Sequence, residues 1–168
     1  DHLGKSAAQF DEVKLRWVNA HHVKAMTDDA LALLVAAVLQ QRGIIADDRL
    51  PRMCALFKDR CDTTVALADW AAAFYSDIVP PVAEITQHVT DAVRPALATL
   101  REKLAGVTWD KASIATAIKE VLVMHALKMP QLAMPVRVLV MGTSHTPSVD
   151  AVLELAGRER VLDRLSAR

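Results

Sequence analysis

Residues 134–165 read MPVRVLVMGTSHTPSVDAVLELAGRERVLDRL, and this stretch decides the fold class. It opens with a Pro-led apolar run, VRVLVMG (136–142), that carries one arginine, Arg137. The β-branched content of that run favours a strand. A lone strand, however, would leave its backbone N–H and C=O groups unpaired, and nothing else in the chain offers a second strand. A helix is therefore expected. The polar break GTSHTP (142–147) follows, then an amphipathic run that stops at Gly157 and resumes as RERVLDRL. Two short helices are expected there, Ser148 to Leu155 and Arg158 to Leu165.

The rest of the chain extends the helical reading. Of 168 residues, 52% are hydrophobic, 4% are aromatic and only five are Gly. Ala and Leu lose little freedom in a helix, whereas sheets favour aromatic and β-branched residues. A helix from Asp11, its expected cap, to about Met26 would carry Val13, Trp17 and Val23 on a loose stripe. Thr27 is expected to cap a second helix, with Asp28 and Asp29 in its first turn and Gly43 as its stop. A third is expected from about Asp47 to Asp59, with Pro51 in its first turn. A fourth would span 62–75, capped by Asp62 or Thr63.

IVPPV (78–82) breaks the pattern and is the expected linker. A long helix follows from about Val82 to Leu104, bent or split at Pro95, ending near Gly106. Residues 108–127 read as another helix, capped by Thr108, with Ile114, Ile118, Val121, Leu122 and Leu127 on one side. There is no internal repeat, low-complexity tract or heptad run.

Cys54 and Cys61 lie seven apart. On one helix face that is about 10 Å of rise, too far for a disulfide, so both are expected as reduced core residues of a cytosolic protein. ALALLVAAVL (30–39), the most apolar stretch, is too short to span a membrane. The formal net charge is zero. That counts against a strongly basic nucleic-acid binder, although a neutral total can hide a basic face. The opening DHLGKSAAQFD has no Met, so a piece of a longer protein is expected.

Chemistry-bearing motifs are scarce. His21 and His22 are adjacent, so on a helix they diverge by about 100° and cannot chelate together. His88, His125 and His145 stand alone, and two cysteines without a CxxC pair are weak zinc ligands. No metal site is expected. No GxSxG, Walker loop, GxGxxG, HIGH-like or KMSKS-like signature occurs, and acidic pairs such as Asp28/Asp29 and Asp47/Asp48 sit at expected helix starts, where the dipole explains them. No catalytic residue is expected in this chain.

Two arginines stand out. Arg60 falls at the junction of the third and fourth helices, where a side chain can project forward beside a helix N-terminus. Arg137 follows a proline inside an apolar run, so its guanidinium must leave the core for solvent or a partner. The plainer account of each is a surface or ion-paired arginine. For Thr146 and Pro147 the plainer account is a helix start, with a cap followed by Pro at the first helical position.

Four segments together resemble bacterial glutamyl-tRNA synthetases. FDEVKLRWVNAHHV (10–23) is similar to that family's FD-x-x-KL-x-W-x-N stretch. LFKDRCDTTVAL (56–67) resembles its segment ending in an arginine followed by x-D-T. TWDKASIATAIKEV (108–121) sits where the family has a W-prefaced helix. Residues 134–165 resemble its terminal pattern of P-x-R, a TG-like turn, a T/S-P pair and LGKERVLERL. The first and last are the specific ones, and the resemblance covers nearly the whole chain. MGTSH stands where the family often has LTGxxH, and Ser148 replaces a frequent glycine.

The resemblance implies an all-α fold, a helical bundle of two subdomains called an α-helix cage. Residues 1–24 would end the stem-contact region, 25–78 would form anticodon-binding subdomain 1, and 79–168 subdomain 2. It implies that Arg60 reads the anticodon and that Arg137, Thr146, Pro147 and Val149 line the anticodon pocket. Arg52 and Lys58 are expected phosphate contacts, from charge and location.

The implied partner is tRNA(Glu), bound by a cytoplasmic monomer with no membrane contact. The whole enzyme would join glutamate to tRNA(Glu) with ATP and Mg2+, while this piece would hold no cofactor and be inactive alone. The competing reading is a helical protein–protein interaction module without nucleic-acid function, whose binding would ignore both salt and Arg60.

The chemistry of the implied arginine is consistent. The third anticodon base is C in tRNA(Glu) and G in tRNA(Gln). An unpaired cytosine presents the acceptors O2 and N3, and a guanidinium offers only donors. Guanine would meet it donor to donor, at a cost on the order of 1–3 kcal/mol. Discrimination against tRNA(Gln) is therefore expected.

Overall fold

The structure is a computed structural model that describes residues 12–166. Among the described residues it contains ten α-helices and no strand, so the all-α expectation holds, the 136–142 run included. The chain divides into two compact units, one up to Ala71 and one from Ala72 onward.

In the first unit, α1 is Glu12–Ala25. The expected cap, Asp11, lies outside the described residues. The expected stripe is not a buried one: Val23 is buried, but Val13 is 78% and Trp17 68% exposed. Trp17 instead stacks on His21 one turn later, ring centroids 5.6 Å apart.

Helix α2 (Asp28–Gln41) begins where expected, because Thr27 Oγ1 accepts from the Ala30 amide at 3.2 Å. It ends in a Schellman motif. Gly43 takes φ +75°, its amide donates to Gln40 O, and the Ile44 amide donates to Leu39 O.

Helix α3 (Leu50–Phe57) starts three residues later than expected. Asp47 closes a local turn instead, with Oδ1 accepting from the Arg49 amide at 3.0 Å and Oδ2 pairing with Arg49 Nε at 2.8 Å. Pro51 does sit in the first turn. α3 tightens into a 3-10 turn, Lys58–Arg60. Cys61 is therefore in extended backbone, not on the helix face assumed for it. Both cysteines are free and buried, and burial pushes each thiol up to about 11.

Thr63, not Asp62, caps α4 (Thr64–Ala72), its Oγ1 accepting from the Ala66 amide at 3.0 Å. Leu31, Val35 and Leu39 of α2, Met53, Cys54 and Phe57 of α3, and Leu67, Ala68 and Ala71 of α4 are buried. Trp70 stacks on Phe57 at 4.9 Å.

The second unit opens with turns to Ser76 and the Pro80–Pro81 segment. The expected long helix is then split, as one of the two expected outcomes, into α5 (Val82–His88) and α6 (Arg94–Gly106). Pro95 lies in the first turn of α6, where its missing N–H has no partner to lose.

Helix α7 (Lys111–Met124) is capped by Asp110 rather than Thr108. Asp110 accepts from the Ser113 amide at 2.7 Å, and that bond holds its carboxyl below the usual range. Ile114, Ile118 and Val121 are buried as expected, while Leu122 and Leu127 are half-buried.

Helix α8 (Met129–Met141) starts earlier than the apolar run suggested, with Pro135 buried inside it. Gln131 Oε1 accepts from the Lys128 amide at its start, and Gly142 at φ +78° ends it. α9 (Val149–Ala156) and α10 (Arg158–Leu165) flank Gly157 as expected.

The core of this unit is formed where α6, α7, α8, α9 and α10 pack against one another, around Leu100, Leu104, Ile114, Ile118, Leu132, Val140, Val152 and Val161. A charged side chain enters it. Arg164 is buried, with Nη1 donating to Val140 O (2.6 Å) and Ala73 O (2.7 Å) and Nη2 to Ser76 O (2.7 Å). Burial, with neighbouring Arg160 second, lowers its pKa to about 10.

Candidate nucleic-acid interface

In the first unit, Arg60 ends the 3-10 turn and is exposed. Its neighbours fix its place. Phe57 and Cys61 on either side are buried, the Cys61 amide donates to Lys58 O, and Thr63 starts α4 two residues further on. Arg60 is thus an exposed residue on a segment whose flanks are held in the core. Lys58 is held differently, its ammonium 2.9 Å from Asp28 Oδ1 and half-buried. Its ammonium is thus ion-paired with a half-exposed carboxylate of α2. Arg52 is exposed on α3.

In the second unit the remaining expected residues fall into two groups. Arg137 and Val149 line one cleft of about 350 Å3 between α7, α8 and the start of α9. Its apolar lining includes Ala115, Ile118, Ala133, Val149, Met129, Pro130 and Met134. Arg137 is half-buried, with Nη1 3.9 Å from Met134 Sδ. Arg137 lines the cleft, but the Nε of its guanidinium is buried. Lys119, Ser148 and Asp150 complete the rim.

Thr146 and Pro147 are not among the residues lining that cleft. Both are buried, and Thr146 Oγ1 donates to Pro147 O at 2.9 Å. Neither is the helix start of the plainer account. Ser148 is the N-cap residue of α9, and Thr146 is spent inside the turn. Their contribution is to shape the turn 142–148. Glu84 of α5 supports the same turn by accepting from the Ser144 amide at 3.2 Å.

Sequence reasoning missed Lys119, Met129, Pro130 and Met134. The signal for Lys119 was weak but present: a cation one residue beyond buried Ile118, at the edge of the apolar face of α7.

Among the described residues, no three His, Cys, Asp or Glu side chains gather as a metal site. No helix among them is long and apolar enough to cross a membrane.

Comparison with known proteins agrees with the helical frame. Residues 27–168 match the family model described as the anticodon binding domain. A glutamate–tRNA ligase from Albidiferax ferrireducens is 74% identical over 165 residues, covering 98% of this chain and 36% of that protein. One from Paracidovorax citrulli is 66% identical over 169 residues, covering 98% and 35%. The chain thus spans about a third of the length of these curated relatives.

A crystal structure of a glutamate tRNA ligase from Elizabethkingia meningosepticum, in complex with its amino acid, matches the fold with a TM-score of 0.86. It is 18% identical, and the match covers 93% of this chain and 32% of that one. The family match disfavours a general interaction module. With most of its length, from Thr27 to the last residue, matched by the family model, the chain belongs to the anticodon-binding domain family.

Proposed function

We propose that this chain is the part of a glutamate–tRNA ligase that recognises the anticodon of tRNA(Glu). The observation that carries the reading is Arg60, an exposed arginine on a turn flanked by buried Phe57 and Cys61. The relatives bear the name glutamate–tRNA ligase, which supports glutamate as the amino acid concerned. Arg60 donates to O2 and N3 of the third anticodon base, a cytosine, and rejects guanine because donors would face donors.

In the second unit, Arg137 and Val149 line the cleft that receives an unstacked anticodon base. Thr146 and Pro147 hold the adjoining turn. With no aromatic residue among the described residues that line this cleft, stacking falls to the Arg137 plane and the Met129 and Met134 thioethers.

Residues 1–24 end a stem-contact region, 25–78 form the first anticodon-binding subdomain and 79–168 the second. The complete enzyme attaches glutamate to tRNA(Glu) using ATP and Mg2+, in the cytoplasm and as a monomer. This piece supplies recognition and no catalytic group.

The test is fluorescence anisotropy with a labelled tRNA(Glu) anticodon stem-loop and a stem-loop of scrambled loop sequence. Saturable binding of the first, stronger than that of the second, is the expected result. Equal binding of both, or of neither, contradicts the reading.

A further inference from the structure

The lining of the cleft between α7, α8 and α9 holds two cationic side chains and one carboxylate. Three charged side chains rim it: Lys119, Arg137 and Asp150. Asp150 Oδ1 is already engaged by the Ala151 amide at 2.9 Å. Other lysines here are neutralised at close range, with Lys58 2.9 Å from Asp28 and Lys103 2.8 Å from Glu120. Lys119 is exposed and has no such carboxylate among the described residues.

The arrangement is a largely apolar slot whose lining includes the Lys119 ammonium, and it fits a group that is flat and weakly polar at one end and anionic at the other. A nucleotide of an RNA loop has that form, with the base entering the slot and the phosphate staying at the rim.

We propose that Lys119 binds the phosphate of the nucleotide whose base enters this cleft. The proposal rests on the anticodon reading above and adds a contact to it. Lys119 is a point charge on a flexible stem, so it binds the backbone and reads no base. It raises affinity for any loop that presents a nucleotide there, and base preference is left to the other residues.

The test compares the chain with its Lys119→Met and Lys119→Arg variants, binding the tRNA(Glu) anticodon stem-loop across a salt series. Methionine keeps the apolar stem and removes the charge. At this exposed position thermal unfolding should be unchanged, which separates a lost contact from a lost fold. For K119M the account predicts several-fold weaker binding at low salt, and a log K against log salt slope shallower by about 0.7, the value for one contact to single-stranded nucleic acid. K119R should keep the slope, and the preference for C over G at the third anticodon base should be equal in all three proteins.

A K119M slope equal to that of the unsubstituted chain overturns the proposal while leaving anticodon binding intact. Weaker binding with an unchanged slope also overturns it, because the cleft then recognises shape without the phosphate, as an apolar peptide segment would require. Failure of the unsubstituted chain to bind is a different result: it removes the anticodon reading and this contact with it.

Discussion

The Glu84 carboxylate on α5 accepts a hydrogen bond from the Ser144 amide, 3.2 Å away and sixty residues along the chain. His88 Nε2, one turn on, is 3.8 Å from the same oxygen. This bond ties α5 to the turn that holds Thr146 and Pro147. Ser144 is buried, so its amide has little access to water as an alternative acceptor.

Glu84→Ala should therefore cost about 1–3 kcal/mol, the penalty for leaving a buried donor unsatisfied. Glu84→Gln keeps an acceptor and should lose less. Denaturant unfolding measures both, and faster hydrogen exchange at Ser144 in the alanine variant alone would locate the effect.

Arg164 gives a larger prediction. Its guanidinium satisfies three carbonyls, Ala73, Ser76 and Val140, from inside the core. Arg164→Leu fills similar space and leaves those acceptors bare, so a loss of about 3 kcal/mol or more is expected. Arg164→Lys supplies donors without the planar fork and should recover only part of it. Thermal unfolding midpoints in the order arginine, lysine, leucine would bear this out.

Ala126 follows the C-cap of α7 at φ +52°, a left-handed conformation, with its amide donating to Val123 O and the Leu127 amide to Leu122 O. It occupies the position that glycine fills in most such motifs. Ala126→Gly should raise stability by up to about 1 kcal/mol by relieving the Cβ clash, partly offset by the greater freedom of glycine when unfolded. A lower unfolding midpoint would contradict this.

The cysteines predict a pH effect. Burial raises both thiols from 9.0 to about 11, with nearby Asp28 adding to the rise at Cys54 and Asp62 at Cys61. Between those values the unfolded chain has lost thiol protons that the folded chain keeps, so their contribution to stability is intact below pH 9 and falls as pH rises through 11. A double Cys→Ala variant should show a weaker alkaline decline. In the native chain, thiolate-directed alkylation at pH 8 should be slow until unfolding.

How much of this was legible depended on the range of the interaction. Thr27 and Thr63 could be read because a cap and its amide lie three residues apart. Asp47 misled because the same chemistry closed a turn at Arg49, two residues on, before any helix began. The start of α8 was hidden because Pro135 looked like a beginning, whereas Pro130 holds that position and Pro135 lies buried within. Arg137 stood out as a cation inside an apolar run, and Arg60 by its place at a helix junction.

Arg164 was not legible at all. In sequence it is one of several charges in RERVLDRL, and two of its three partners are backbone carbonyls about ninety residues away. The burial of Thr146 and Pro147 was equally hidden, since a Thr-Pro pair before a helix resembles a cap and first-turn proline.

The central claim is that Arg60 reads the third anticodon base. The most direct measurement is a cycle of anisotropy titrations: the chain and its Arg60→Ala variant, each with the tRNA(Glu) stem-loop and its C-to-G counterpart at that base. The account predicts that the unsubstituted chain prefers C by about tenfold to a hundredfold, from about 1–3 kcal/mol for the donor mismatch, and that Arg60→Ala removes most of that preference. An equal preference for C with and without Arg60 would contradict it.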